Sequence, residues 1–232
     1  MPTDCCLLRS DETAAPAAVF PSARGAPSPL AQNWRRLDYL ALGNERQRSA
    51  HALLGAGLWD ELLLLCQDLA LVSTVAIGLD RPGSDLDILC QHRDPAALAA
   101  LLARQGWQAS DKGERVWLLE HELTGPDDRV WPVELYVTPF PIHTRNGWRH
   151  LSLMAALLEH FGWAFYRAVL HLRLEQGLKG EAAICQLLGL PGDPYQALLA
   201  LERVDLERLI WQSSPLTHVP RFEDNLPMPR IS

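Results

Sequence analysis

A mixed α+β fold, a β-sheet flanked by helices and continued by a helical C-terminal part, follows from three features of this sequence. Short apolar runs rich in β-branched residues are punctuated by turn formers, Ala- and Leu-rich stretches of helical period lie between them, and the pattern turns purely helical after Pro141. Taken in order, Trp34, Leu37, Leu40 and Ala41 fall on one helical face. After a break near Gly43, Leu54, Leu58, Leu62 and Leu65 repeat that period, so two helices precede the first strand. Residues 72–77 and 86–90 read as paired strands separated by the turn-forming Asp80, Arg81, Pro82 and Gly83. Asp94 followed by Pro95 is a helix start, and the Ala- and Leu-rich helix behind it runs to about Gly106. Residues 115–122 and 130–137 return to extended patterns. Helical periodicity then covers residues 150–161, 164–176, 181–188 and 195–211, punctuated by Gly162, Gly177, Gly180, Gly189 and Gly192.

This division predicts an α/β core over residues 32–144 and a helical part over 145–212. Residues 1–31, broken by Pro16, Pro21, Pro27 and Pro29, read as a disordered Ala/Pro-rich arm, and residues 213–232 as a Pro-rich tail. No internal repeat is present.

The formal charge of -7 argues against a broad basic surface for gripping nucleic acid, because cationic side chains supply most of that affinity. No uncharged apolar run is long enough to cross a bilayer, and Asp4, Arg9, Asp11 and Glu12 interrupt any export signal, so a soluble protein of the cytoplasm is expected. Five cysteines, Cys5, Cys6, Cys66, Cys90 and Cys185, show no spaced framework and read as reduced thiols, with Cys90 a buried core residue.

The chemistry is concentrated in carboxylates. Asp85 and Asp87 stand two apart at the start of a strand and so share a face. Glu134, between Val133 and Leu135 in an apolar extended segment, is a lone acid that needs a partner. Three carboxylates converging from neighbouring strands suit a hard divalent cation, Mg²⁺ or Mn²⁺, which prefers oxygen ligands and leaves positions for phosphates and water.

Ser73-Thr74, ten intervening residues and Asp85-Leu86-Asp87 resemble the nucleotidyltransferase arrangement of a small residue pair, a loop, an Asp-apolar-Asp strand and a later acid. The resemblance extends through residues 39–47, Ile77-Gly78, residues 83–88, 133–136, Arg149-His150, residues 187–190 and 192–195, all similar to the nucleotidyltransferase-like domain of unknown function 4269. It covers nearly the whole body. The chain departs from the pattern at Ser73, where the family carries Gly, and at Arg145 and Met154, near which the family carries Gln and Glu. The resemblance implies a nucleotidyltransferase-like mixed sheet, metal ions on Asp85, Asp87 and Glu134, a nucleoside triphosphate as substrate, and phosphate contacts from Ser73, Thr74, Gly83 and Ser84.

Arg149, at a helix start, is expected to contact substrate, and Lys179 to reach the phosphates from a flexible Gly177–Gly180 segment. His150 reads as a helix-cap histidine, with a general-base role as its alternative. Asn44 and Gln47 read as structural, and Trp107, Trp117 and Trp163 as core. The leading expectation is transfer of a nucleoside monophosphate to an unknown acceptor hydroxyl, catalysed by Asp85, Asp87 and Glu134. An inactive nucleotide-binding or protein-interaction module and a phosphohydrolase stand as alternatives.

Overall fold

Five strands pair into one mixed sheet in the computed structural model, which describes residues 34–212. They are β1 (Asp68–Leu71), β2 (Leu86–Gln91), β3 (Gln108–Asp111), β4 (Trp117–Thr124) and β5 (Val130–Thr138). Their spatial order is β1-β2-β5-β4-β3. Only β2 and β5 run parallel; every other neighbouring pair is antiparallel. A parallel pair needs a long crossover, and here it consists of the helix after β2 and the hairpin of β3 and β4. The two central strands bury Leu86, Ile88, Val133 and Leu135, whose side chains alternate with the acids.

The helices follow the local rules of their termini. Helix α1 (Glu45–Leu53) opens with a reciprocal capping box, in which Gln47 N donates to Asn44 Oδ1 and Asn44 N donates to Gln47 Oε1. It passes through a π turn (Leu54–Leu58) into α2 (Trp59–Leu65). In α3 (Pro95–Ala103), Asp94 accepts from Ala97 N at 3.1 Å. Helix α4 (Asn146–Glu175) is long and broken at Gly162, and α5 (Gly180–Leu188) and α6 (Pro194–Ala200) complete the helical part. Trp34, Trp131 and Phe165 lie fully inside the core. No helix of the described residues is long and apolar enough to cross a membrane.

Several expectations need correction. Residues 72–77 are not a strand: the strand lies upstream at β1, and Thr74–Ile77 forms a 3-10 turn ended by left-handed Gly78. Val75, Ala76 and Ile77 are buried in the core, and a short apolar run does not distinguish that environment from a sheet. Strand β3 escaped notice because Gln108, Ala109, Ser110 and Asp111 lack strand propensity; pairing with β4 alone defines this exposed edge. The first helical face is a 3-10 turn (Asp38–Leu42), and the last helix stops at Ala200, giving way to two further 3-10 turns. Trp163 is 47% exposed and stacks on Tyr166 instead of entering the core. Cys66 and Cys90 are joined by a disulfide, not free thiols: the chain entering β1 lies beside the end of β2, where Gln67 N donates to the Gln91 carbonyl, and the two Cα atoms stand 5.9 Å apart. Cys185 is free and buried. The expected arm and tail lie outside the described residues.

One ion pair fixes the loop before the acids. Asp80, 6% exposed, accepts from Arg46 Nε at 2.8 Å and from Asn44 Nδ2 at 3.1 Å. Arg46 also donates to the Ser84 carbonyl at 3.3 Å and lies over Trp131, 4.2 Å from the ring centroid. Helix α1 thereby clamps residues 80–84 at the mouth of β2. Asp80→Ala, which leaves Arg46 partly buried and unpaired, is expected to cost about 3 kcal/mol, measured as a lowered midpoint in urea unfolding; an unchanged midpoint overturns the clamp.

Candidate functional site

Strand β2 begins at Leu86, so Asp85 stands at its mouth and Asp87 two positions on, on the same face. The parallel register sets Asp87 directly opposite Glu134. One carboxylate oxygen from each of Asp85, Asp87 and Glu134 lies within 4.8 Å of the others. All three are half-buried on the wall of a cavity of about 710 Å³. The structure therefore brings together the three acids singled out in the sequence.

Their proximity has an electrostatic cost. Burial pushes the Asp87 carboxyl up to about 8, with Asp85, Glu134 and Glu181 adding to the rise and Lys179 opposing it. Glu134 is raised by burial and by Asp85 and Glu120, against Lys179 and Lys112. Such a group suits a hard cation. Oxygens around octahedral Mg²⁺, at about 2.1 Å from the ion, stand roughly 3–4 Å apart, so a trio this close needs only small side-chain movements to share one. The donor set fits Mg²⁺ or Mn²⁺.

The other expected residues divide. Thr74, Gly83, Ser84 and Lys179 line the same cavity. Gly83 adopts φ 82, and Ser84 Oγ accepts from Arg81 N at 3.0 Å, which closes the turn. Ser73 is 1% exposed with an unpartnered Oγ, and it is not among the cavity-lining residues. Lys179 precedes α5; its ammonium is held up chiefly by the Tyr195 hydroxyl, with Glu181 and Asp85 contributing. Arg149 borders the cavity, but its guanidinium forks onto Glu202 at 2.8 and 2.6 Å. A substrate would have to compete with that carboxylate. His150 is buried inside α4, beyond the cap position, with Nε2 3.1 Å from the Tyr195 carbonyl and Nδ1 3.9 Å from Glu181. Asn44 and Gln47 are structural, forming the α1 cap, and Gln47 also donates to the Val75 carbonyl at 2.9 Å.

Sequence reasoning missed Arg173, which lines the cavity at 4% exposure. A signal existed: Arg173 continues Phe165 and Val169 at four-residue spacing on the buried stripe of α4, and a charge there needs a purpose. Arg81, noticed only as a turn residue, also lines the cavity.

A family model described as Domain of unknown function (DUF4269) matches residues 52–201 of the 232. No curated protein matches the chain.

Asp87 provides a test that needs no substrate. Its carboxyl titrates near 8 when folded, against an ordinary value of 3.8, so between those values the folded state holds a proton that the unfolded state has released. Stability is then present at low pH and lost as pH rises through this window. Without divalent cation, the urea midpoint of the wild type is expected to fall from pH 5 to pH 8 more steeply than that of Asp87→Asn. The variant should be more stable at pH 8 by about 1–3 kcal/mol, the scale of an uncompensated buried polar group. Adding Mg²⁺ should restore the wild type and leave the variant unmoved; parallel pH profiles for the two proteins refute this account.

Proposed function

We propose that this chain, which belongs to the DUF4269 family, is a metal-dependent nucleotidyltransferase with a nucleotidyltransferase-like fold. It moves a nucleoside monophosphate from a nucleoside triphosphate to an acceptor hydroxyl. The observation that carries the reading is the convergence of Asp85, Asp87 and Glu134 within 4.8 Å, facing a cavity that also exposes Arg81, Arg173 and Lys179. Acids for cations beside bases for anions are the two halves of a site for a metal-bound polyphosphate.

Asp85, Asp87 and Glu134 would hold Mg²⁺ or Mn²⁺, which when bound offsets negative charge on the phosphates and stabilises the entering and leaving oxygens. The remaining work falls to the chain itself. Thr74, Ser84 and Lys179 orient the phosphates along the mouth of β2. The acceptor oxygen forms a bond to the α-phosphorus, the bond from that phosphorus to the bridging oxygen breaks, and pyrophosphate departs. Asp87 or Glu134 takes the acceptor's proton as the new bond forms. A cavity of about 710 Å³ has room for a nucleotide and part of an acceptor.

Calorimetry with ATP, GTP, CTP and UTP, with and without Mg²⁺, coupled to an assay for pyrophosphate, tests the reading. Mg²⁺-dependent nucleotide binding with pyrophosphate release is expected. Asp85→Asn and Asp87→Asn should each lower release by about 100-fold or more, since even residues that merely support metal ligands cost about 10–100-fold. Binding without release favours a module that has lost turnover, and release of inorganic phosphate alone favours a hydrolase. No binding of any nucleotide ends the proposal.

A further inference from the structure

Opposite the acids, the cavity wall holds Arg81 and Arg173, two cationic side chains with no carboxylate at ion-pair distance among the described residues. Arg173 is 4% exposed, and its Nη2 donates to Thr74 Oγ1 at 3.2 Å, while its buried Nε has no partner. Among the described residues, neither Arg173 nor Arg81 forms an ion pair with a carboxylate. Burial and the nearby Arg81 charge disfavour the charged form of Arg173 and outweigh the opposing pull of Glu181, Asp80 and Asp85. Two guanidiniums facing one cavity, one of them buried and incompletely hydrogen-bonded, are costly unless an anion joins them.

The N-terminus of α5 meets the same place. Helix α5 spans Gly180–Leu188 and has no side-chain cap, so its leading amides keep their donor capacity. At Gly180 the backbone comes so close that a Cβ would stand 2.9 Å from Met154 Sδ, 3.2 Å from Arg173 Nη1 and 3.5 Å from Thr74 Cγ2. The absent side chain lets the amides of the first turn approach the guanidinium. Glu181, in that turn, has its carboxylate 3.9 Å from His150 Nδ1. The amides of that turn, the Arg173 guanidinium and the Thr74 hydroxyl thus border one part of the cavity, with Glu181 the carboxylate beside them, and together they offer the donors a phosphate group needs.

We propose that Arg173, Arg81 and the first turn of α5 form a phosphate-binding pocket that takes the terminal phosphates of the nucleotide and holds the departing pyrophosphate. The identity of the ligand rests on the nucleotidyl-transfer reading; the anion pocket does not. Because its donors belong to the protein, the pocket binds pyrophosphate without a divalent cation, and the acids on the other wall are not needed for that binding.

The test uses the full chain freed of metal on a chelating resin, titrated calorimetrically with sodium pyrophosphate, with sodium sulfate at matched ionic strength as control. Pyrophosphate is expected to bind and to compete with sulfate. Arg81→Gln, at a partly exposed position with no ion-pair partner, should fold normally and weaken binding by about tenfold, the scale of one charged hydrogen bond. Arg173→Lys, which keeps the charge and loses the fork, should weaken it by a similar factor, and Gly180→Ala should do so by pressing on Met154 and Arg173 and moving the first turn of α5 away from the guanidinium. Asp87→Asn should bind pyrophosphate at least as well as the wild type. The proposal is overturned if the metal-free protein does not bind pyrophosphate, or if folded Arg81→Gln and Gly180→Ala bind it as the wild type does. The two readings fail separately. Pyrophosphate binding with no turnover of any nucleotide removes the transferase and keeps the pocket, whereas turnover without metal-free pyrophosphate binding removes the pocket and keeps the transferase.

Discussion

The pairing of Asp87 with Glu134 across two parallel strands is the constraint from which the rest of this structure follows. Like charges directly opposed in a sheet are unfavourable, and here they lie on the two central strands, where water is least available to screen them. The opposite faces of the same strands are apolar and buried, so a one-residue slip would turn the acids into the core. Hydrophobic burial of Leu86, Ile88, Val133 and Leu135 therefore enforces an electrostatic arrangement that the carboxylates would not adopt alone. The Arg46–Asp80 pair and the Cys66–Cys90 bridge brace this unit, one at the loop before β2 and one near its far end.

Charge in the cavity is separated by wall. The sheet presents Asp85, Asp87 and Glu134, while the loop before β2, the end of α4 and the start of α5 present Arg81, Arg173 and Lys179, with Glu181, among the described residues, the one acid beside them. A net charge of -7 conceals this division, since the bases are few and gathered in one place.

Much of this was legible in the sequence. Asp85 and Asp87 could be placed on one face because strand periodicity is strict, and Glu134 stood out as an acid among apolar neighbours. Asp94-Pro95 marked its helix without ambiguity. What was hidden depended on the third dimension. Residues 72–77 are as apolar as a strand because the core, not a neighbouring strand, covers them, and β3 has no strand character of its own. Arg149 looked free because Glu202 is remote in sequence, and Arg173 looked ordinary because the turn of α5 that approaches it lies beyond the end of its helix. The disulfide likewise required the pairing of β1 with β2, which lays the chain just before β1 beside the end of β2 and which spacing alone did not reveal.

Helix α4 contributes to the cavity twice, through His150 and Met154 before its break and through Arg173 after it. The break is Gly162, at φ 72 and ψ -162, a backbone region open in practice to glycine alone. An L-residue there would favour a continuous rod, and a straightened rod would carry the two groups of side chains along a single axis. The aperture between the walls is thus set by a joint that contributes no atom to the chemistry. Variation at this one position would retune the width of the cavity while leaving every charged group in the chain unchanged.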